Sequence, residues 1–237
     1  MEQFDDVILG GGKAGKSLAL ALANAGHAVA LIERGQIGGT CINVACIPTK
    51  TLVASAKVVE LASRASDYGI TLRPPPADLA PVIERKRRVV SAMVDTHMTL
   101  FTTTPNLSFL LGNGVFVGER TIEVAMAGGA TRTVRGERVY INTGSHTTIP
   151  PIPGLDTVDY LTSTSVMELP ELPARLAIVG AGYIALEFAQ VFRRLGSEVV
   201  VIQRGDRFLP NEDLDIATAI RAVLEEDGIE FLDNTET

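Results

Sequence analysis

Two cysteines, Cys41 and Cys46, are the only thiols in the 237-residue chain, and both lie in the segment GGTCINVACIPTK at 38–50. Such a pair has three uses. A zinc site needs about four ligands, and the sequence offers neither a second cysteine pair nor a nearby histidine. Two unrelated buried thiols are the second use. A redox-active disulfide is the third, and paired cysteines in a reducing compartment are more often catalytic or metal-binding than structural.

The spacing of the two cysteines constrains the backbone between them. Five residues of regular helix rise about 7.5 Å, which is too far for a relaxed disulfide bond. The chain must therefore bend within the pair if the sulfurs are to meet. Gly38 and Gly39 before the pair and Pro48 after it permit a loop that enters a helix near Cys46, where the helix dipole favours a thiolate.

A glycine motif follows the first apolar run of the chain. Gly10, Gly12 and Gly15 form G-x-G-x-x-G between a strand-like run and a helix-like segment, and Glu33 ends the next predicted strand. The glycines allow a tight turn, close approach of a pyrophosphate and helix packing, while the acid can bind ribose hydroxyls. The pattern predicts a dinucleotide site.

A second copy of this pattern begins at Gly180 and Gly182, with Ala185 in the third place. The strand after it ends in Gln203 and Arg204 instead of an acid. An acid there favours the free 2′-hydroxyl of NAD, whereas arginines suit the 2′-phosphate of NADP. We expect NADPH in preference to NADH; the alternative is that the arginines only face solvent.

The elements around these motifs predict an α/β fold with two Rossmann-like dinucleotide-binding domains. Strand-like segments at 108–134 follow the first domain's long helical patterns at 49–66 and 78–102 and predict an antiparallel β-meander. The helical patterns are separated by the turn-forming Pro74, Pro75 and Pro76.

Proline and glycine at 149–154 predict the domain boundary. We therefore expect an FAD-binding domain with the dithiol at 1–148 and an NAD(P)-binding domain at 149–237. The second domain ends after strand, helix, strand, one more helix at 213–226 and the start of a strand at 230–232, and is expected to be incomplete.

The composition of the chain limits the classes of molecule that it is expected to bind. A formal net charge of -7 argues against nucleic acid. We interpret the basic cluster Arg85-Lys86-Arg87-Arg88 as a solvated helix face. The start of the chain has no signal-peptide pattern, and the apolar segment 18–32 is too short to span a bilayer. We expect a cytoplasmic protein that acts on a small molecule, without a membrane or a structural metal.

These motifs together resemble the pyridine nucleotide-disulfide oxidoreductases, the flavoprotein family of glutathione reductase, dihydrolipoamide dehydrogenase and mercuric reductase. GGTCINVACIPTK matches the redox-active disulfide segment, GAGYIALE the nicotinamide-binding turn, and INTGS at 141–145 the segment that closes the flavin domain. GKAGKSLA, CIPTKTLV and QRGDRFLPNEDLDIA resemble the mercuric-reductase-like branch that includes reactive-chlorine and hypothiocyanous-acid resistance flavoproteins.

The resemblance implies roles by position. Cys46 would be the sulfur against the flavin that forms a charge-transfer thiolate, and Cys41 the interchange thiol that attacks the substrate. Lys50, paired with Glu187, would lie beside the flavin N5 atom. Tyr183 would cover the flavin and swing aside for nicotinamide. NADPH would reduce FAD, FAD would reduce the disulfide, and the dithiol would reduce a small oxidised-sulfur, metal-ion or oxidant substrate.

The remaining positions would bind the two cofactors, FAD and NADPH, with NADH as the alternative nucleotide. Those implied for FAD are Gly10, Gly12, Gly15, Glu33, Thr40, Lys50, Gly114 and Gly144. Those implied for the nicotinamide nucleotide are Gly180, Gly182, Ile184, Gln203 and Arg204.

Two features depart from the family pattern. Ala45 stands where the family usually has glycine, which is expected to alter the turn and the disulfide potential. The family's acid–base histidine lies in a C-terminal dimerisation domain, contributed across a homodimer, and His27, His97 and His146 match no catalytic position. We expect the chain to be part of a longer homodimeric enzyme. The alternatives are a dihydrolipoamide dehydrogenase and a non-catalytic flavin or thiol redox-sensing module.

Overall fold

A computed structural model describes residues 1–72 and 78–237, so the predicted turn at Pro74, Pro75 and Pro76 lies outside the described residues. Short 3-10 helices at Ala65–Tyr68, Leu155–Thr157 and Ser165–Glu168 join the longer elements. The helices are α1 Lys13–Asn24, α2 Gly39–Asn43, α3 Cys46–Ser63, α4 Leu79–Thr103, α5 Tyr183–Leu195 and α6 Leu214–Glu226. The strands are β1 Glu2–Leu9, β2 Val29–Glu33, β3 Leu107–Gly118, β4 Thr121–Met126, β5 Thr131–Ile141, β6 Arg175–Val179, β7 Glu198–Ile202 and β8 Glu230–Leu232.

Packing divides the chain into two compact units. The first comprises 1–48 and 88–148, and the second comprises 49–87 and 149–237. The change at 148/149 coincides with the predicted domain boundary. The segment 49–87, which we placed in the first domain, packs with the second unit. The division into cofactor-binding domains at 1–148 and 149–237 stays a prediction.

The first unit is built on a closed barrel of β1 to β5. β1 and β2 pair in parallel, as do β2 and β3, whereas β3, β4 and β5 form the antiparallel meander. The mixed α/β architecture and the meander are therefore confirmed. The barrel interior is filled by aliphatic side chains such as Val7, Ile32 and Leu110, and α1 packs Ala19 and Ala23 into a second cluster.

Two strands of the barrel are longer than their sequence patterns indicate. β5 continues to Ile141 because its second half pairs in parallel with β1, which also starts earlier, at Glu2. The apolar pattern predicted β1 only from Val7 and the end of the meander at Val134. Their pairing brings together segments more than a hundred residues apart, so local periodicity gives little sign of it.

The second unit has a parallel sheet in the order β6-β7-β8. α5 buries one face on this unit's core, with Leu186, Phe188 and Phe192 at helical spacing. Leu52 and Ile83, from the parts of α3 and α4 that belong to this unit, complete the same cluster. β6, the turn at 180–182, α5 and β7 thus form the predicted strand–turn–helix–strand.

One stretch of the described residues, Gly39–Ser63, is long and apolar enough to meet a length and composition criterion for crossing a membrane. It is not one continuous helix, since α2 ends at Asn43 and α3 begins at Cys46. Apolar helices that pack in a protein core meet the same criterion, so the finding is weak evidence for a membrane span.

The interpretation of 85–88 as a solvated face is wrong for Lys86, which is only 3% exposed. Its Nζ donates to the carbonyl of Met167 at 2.9 Å and also contacts the Glu168 carboxylate. Arg87 donates to the other oxygen of Glu168 at 2.8 Å. Burial alone would raise the pKa of Glu168, but the hydrogen bonds from Lys86 and Arg87 hold it below its usual range. Lys86 is therefore a structural cation in the second unit.

We predict that Lys86→Met lowers the free energy of unfolding by about 1–3 kcal/mol, because the buried Met167 carbonyl loses its donor. Urea unfolding followed by circular dichroism measures the change.

Arg87→Met is the matched control. Arg87 is 57% exposed and Glu168 50% exposed, so loss of this ion pair should cost less than about 1 kcal/mol. Equal effects of the two substitutions would contradict the role given to Lys86.

Candidate active site

A groove in the first unit lies at the carboxyl ends of β1 and β2, beside the glycine turn. Ligands of α/β sheets bind at this edge. Of the positions implied for FAD, those at 10, 12, 33, 40, 114 and 144 line the groove. The full lining is Leu9, Gly10, Gly12, Ile32, Glu33, Arg34, Gly39, Thr40, Asn113, Gly114, Asn142, Thr143 and Gly144.

Two glycines of the first turn, Gly12 and Gly15, differ in the space that surrounds them. A Cβ atom on Gly15 would lie 2.1 Å from the carbonyl oxygen of Gly10, so the fold itself requires glycine there. A Cβ atom on Gly12 would meet nothing closer than Asn142 Nδ2 at 3.5 Å. Protein packing therefore leaves room for a side chain at Gly12. Close approach of a ligand explains the glycine, as expected where a backbone meets a pyrophosphate.

Glu33 is held at the edge of this groove. Its two carboxylate oxygens accept hydrogen bonds from the backbone amides of Gly11 and Gly35, each at 2.8 Å. These bonds fix the carboxylate while each oxygen keeps further acceptor capacity for ribose hydroxyls. The groove thus combines an open backbone for a pyrophosphate with an oriented acid, which fits the adenosine end of a dinucleotide.

The dithiol segment starts directly against the glycine turn. Gly38 and Gly39 have φ values of 96° and 61°, and a Cβ atom on Gly39 would lie 2.6 Å from the Cα of Gly12. The backbone bends here and enters α2, which carries Cys41. A second helix, α3, begins at Cys46. The interruption between α2, which ends at Asn43, and α3 is the bend predicted within the pair, and α3 starts at Cys46 as predicted, whereas the short helix α2 was not predicted.

Asn43 stabilises the loop before the cysteines. Its Nδ2 donates to the carbonyls of Ile37 at 3.0 Å and Gly39 at 2.9 Å. Its Oδ1 is buried without a hydrogen-bond partner among the described residues. The side chain thus closes the turn on which the first cysteine depends.

The two cysteines are free thiols in different environments. Cys41 is half-buried and Cys46 is exposed. Burial and a hydrogen bond with Cys46 raise the pKa of the Cys41 thiol, and nearby Lys13 opposes the shift. Cys41 therefore retains its proton to higher pH than an ordinary cysteine.

Two lysines of α1 lie within electrostatic range of Cys41. Burial and repulsion from Lys13 lower the pKa of Lys16, and Cys41 opposes that shift. Lys16 Nζ contacts His97 Nε2. His97 Nδ1 must carry a hydrogen because it donates to the carbonyl of Met93 at 2.6 Å. Both ring nitrogens of His97 are thus engaged, and His97 is a buried packing residue.

The second glycine turn lies between β6 and α5. A Cβ atom on Gly180 or Gly182 would meet nothing within 4 Å, so this turn is open to a ligand. Tyr183 is the first residue of α5 and is 65% exposed. Its hydroxyl donates to Glu212 Oε1 at 2.7 Å. Ile184, next along the helix, is also exposed.

Lys50 and Glu187 form an ion pair in the second unit. This is the pair that the family resemblance implies. Glu187 lies one helical turn after Tyr183, so both side chains are on the same face of α5. Lys50 is 61% exposed, which leaves its ammonium open to a ligand.

The two polar positions at the end of β7 differ in availability. Gln203 Nε2 donates to the carbonyl of Gly205 at 3.1 Å, inside its own turn. Arg204 is exposed. Arg204 is thus the better placed of the two to meet a phosphate.

Sequence reasoning missed three residues that shape these sites, Asn43, Asn142 and Glu212. Asn142 Nδ2 donates to the carbonyl of Gly10 at 3.0 Å and ties the end of β5 to the glycine turn. Asn43 lies between the cysteines, Asn142 lies in the INTGS segment and Glu212 lies in QRGDRFLPNEDLDIA, so all three are inside the family motifs. Glu212 lies 29 residues from Tyr183, and only the fold brings them together.

The open glycine turns and the dithiol beside the first turn define a redox protein with two nucleotide sites. The model of the pyridine nucleotide-disulphide oxidoreductase family matches residues 4–237, so the chain belongs to this family. Membership implies a flavin and a pyridine nucleotide as cofactors.

Named relatives agree with this assignment. Mercuric reductase of Bacillus cereus is 39% identical over 97% of this chain and 36% of its own length. The probable pyridine nucleotide-disulfide oxidoreductase RclA of Escherichia coli is 38% identical over 99% of this chain and 50% of its length. A solved structure of the Cu(II) complex of RclA, described as an HOCl-induced flavoprotein disulfide reductase, has a TM-score of 0.86 at 38% identity, covering 100% of this chain and 50% of that one. Dihydrolipoyl dehydrogenase of Bacillus subtilis is 38% identical over 94% of this chain and 49% of its length. The chain thus spans about half the length of these relatives, or less.

We predict that Gly12→Ala weakens FAD binding about tenfold to a hundredfold while the protein stays folded, because the added methyl group fills space that a pyrophosphate needs. Flavin absorbance after equilibrium dialysis, together with the thermal midpoint, measures both effects.

Two alanine substitutions serve as controls. Gly128→Ala has nothing within 4 Å of its added Cβ and should change neither quantity. Gly15→Ala should lower the thermal midpoint, because its Cβ collides with the Gly10 carbonyl. Unchanged flavin affinity in Gly12→Ala would show that the pyrophosphate lies elsewhere.

Proposed function

We propose that the protein is an FAD-dependent disulfide reductase that passes electrons from NADPH through FAD to Cys41 and Cys46, and then to a small oxidised substrate. The observation that carries the proposal is the contact between Gly39 and Gly12. The segment that bears the thiols starts against the turn that is open to a dinucleotide. Family membership supports the same cofactors.

The residues have separate tasks in this proposal. Glu33 orients the adenine ribose and Gly12 admits the pyrophosphate. Lys50, with Glu187 as its counter-charge, is assigned to the reactive end of the flavin, and Tyr183 to the nicotinamide side. FAD, when bound, accepts a hydride and hands on two electrons. Each of these assignments rests on the family pattern and on the positions described above.

In this proposal the disulfide between Cys41 and Cys46 is reduced and re-oxidised in each catalytic cycle. Two electrons cleave the disulfide between Cys41 and Cys46, and two protons complete the two thiols, of which Cys46 is the one assigned to the flavin side. Cys41 gives up its proton to the base, and its thiolate bonds to the oxidised substrate. Cys46 then loses its proton, and its sulfur displaces the reduced substrate from Cys41 and re-forms the disulfide. The substrate leaves with the two electrons, and the two protons released by the thiols balance the two taken up. Because the pKa of Cys41 is raised by burial and by Cys46, the attack of Cys41 on the substrate needs a base.

Two of the three histidines of the first unit are engaged by other side chains, and the third, His146, matches no catalytic position of the family. His27 Nδ1 bonds the buried carboxylate of Asp6 at 2.7 Å, and His97 is engaged with Lys16. We therefore propose that the base is the family's acid–base histidine, contributed across a homodimer.

The substrate class is proposed from the relatives. The names of two relatives include a metal. One is a mercuric reductase, and the other, RclA, was solved as a Cu(II) complex. RclA is further described as HOCl-induced. We propose an oxidised-sulfur compound, a metal ion or an oxidant as the electron acceptor, in the cytoplasm and without a membrane or nucleic-acid partner.

A dihydrolipoamide dehydrogenase is the second candidate function, because a relative with that activity covers 94% of this chain at 38% identity. Preference for NADH and turnover of lipoamide would favour it. A non-catalytic redox sensor is the remaining alternative, and steady-state turnover of any acceptor would exclude it.

We predict that anaerobic reduction of the FAD-loaded protein with NADPH produces a long-wavelength charge-transfer band that Cys46→Ser abolishes. The band arises only when the Cys46 thiolate lies against the flavin. Absorbance spectra of the titrated protein measure it.

Cys41→Ser is the matched variant for this experiment. Without its partner, Cys46 cannot form the disulfide and should show the band before any reduction. A wild-type protein that takes up two electrons without the band would mean that the dithiol is not coupled to the flavin.

We also predict that Arg204→Ala raises the dissociation constant for NADP⁺ about tenfold and leaves that for NAD⁺ within about twofold, because a charge-assisted bond to the 2′-phosphate is lost. Isothermal titration calorimetry measures both constants.

Arg175→Ala is the control, since Arg175 is also exposed but starts β6, at the opposite end of the strand from the turn at 180–182. Equal losses for NADP⁺ and NAD⁺ in Arg204→Ala would contradict recognition of the 2′-phosphate.

A further inference from the structure

The loop after β7 carries a pair of hydrogen bonds that connect an arginine to Tyr183. Arg207 Nη2 donates to the main-chain carbonyl of Glu212 at 2.7 Å. The carboxylate of the same residue accepts the Tyr183 hydroxyl at 2.7 Å. Arg207 therefore binds the backbone of Glu212, and the side chain of Glu212 binds Tyr183, the residue that follows the second glycine turn.

The loop itself is firmly anchored. Phe208 and Leu209 are 7% and 6% exposed, and Phe208 packs edge-on against Phe231 with ring centroids 5.3 Å apart. The backbone amide of Glu212 donates to the carbonyl of Leu209 at 3.0 Å. With its centre buried, the loop presents Arg207 and Glu212 at the surface on either side.

The same loop follows the strand end where a nucleotide ribose lies in this fold. Arg204 and Arg207 both follow β7, and a 2′-phosphate there would carry about two negative charges. A guanidinium forms a stronger hydrogen bond with a phosphate than it forms with a neutral carbonyl. A phosphate that draws Arg207 away takes its guanidinium from the Glu212 carbonyl, although the Glu212 amide keeps its bond to Leu209, and the charge of the phosphate repels the Glu212 carboxylate. Both effects weaken the bond to Tyr183.

We propose that Glu212 is a positioning residue that links Tyr183 to the 2′-phosphate site, so that a nucleotide with this phosphate releases Tyr183 and one without it does not. The inference rests on the proposed use of NADPH. It adds a second level of nucleotide selection, because the phosphate would then govern the position of Tyr183 as well as affinity.

The hydrogen bond has its own signature. The bond to the Glu212 carboxylate raises the pKa of the Tyr183 phenol. The chain has four tyrosines and no tryptophan. Protein labelled with 3-fluorotyrosine therefore gives four fluorine resonances, and Tyr183→Phe identifies the one from Tyr183. Glu212→Gln, which removes the charge and keeps an acceptor, gives the position of that resonance when the bond is weakened.

The test compares adenosine 2′,5′-bisphosphate with 5′-AMP, which differ only in the 2′-phosphate. At saturation the bisphosphate should move the Tyr183 resonance toward its position in Glu212→Gln, and 5′-AMP should leave it unchanged. Calorimetry should show that Tyr183→Phe binds the bisphosphate about three- to tenfold more tightly, since no bond has to break, with 5′-AMP affinity unaltered. In the background of Arg207→Met this gain should disappear.

The outcomes separate two failures. If the bisphosphate binds more tightly than 5′-AMP but the Tyr183 resonance does not move and Tyr183→Phe gains nothing, the link through Glu212 is wrong and the nucleotide preference stands. If the two ligands bind equally, the preference for NADPH is wrong and the link falls with it.

Discussion

The backbone of the glycine turn after β1 is confined, because other segments pack directly on it. Gly15 approaches the Gly10 carbonyl from α1, Asn142 Nδ2 donates to that carbonyl from the end of β5, and Gly39 meets Gly12 from the dithiol side. β1 lies between β2 and β5 in the barrel, so the position of the turn is fixed by strands on both sides. The groove, the carboxylate of Glu33 and the start of α2 all take their places from this turn.

Lys50 and Lys86 of the second unit differ in burial and therefore in how much their ion pairs stabilise the fold. Lys86 is almost fully buried and satisfied by a carbonyl and a carboxylate, so its charge holds the fold together. Lys50 also has a carboxylate partner, Glu187, yet it stays largely exposed. An exposed ion pair stabilises a fold little. The pair joins Lys50 of α3 to Glu187 of α5, the helix that follows the second glycine turn, and contributes little to stability there.

The sequence alone predicts those parts of the fold whose signals are local. α3 begins at Cys46 as expected, because Pro48 suits the first turn of a helix, and β8 was predicted at Glu230–Leu232, as found. Barrel closure was not predictable from local pattern, since β5 and β1 pair across more than a hundred residues. The same reason applies to Lys86, whose partner Glu168 lies 82 positions away. Within the candidate site, motif spacing located the thiols and the glycines, but not the side chains that hold them.

The inequality of the two thiols follows from the helices that carry them. α2 has five residues and α3 has eighteen, so only Cys46 lies at the start of a helix long enough for an appreciable dipole. Cys41, by contrast, is half-buried, and its raised pKa follows from burial and from Cys46. The two sulfurs of this one short segment therefore differ in exposure and in their position relative to a long helix.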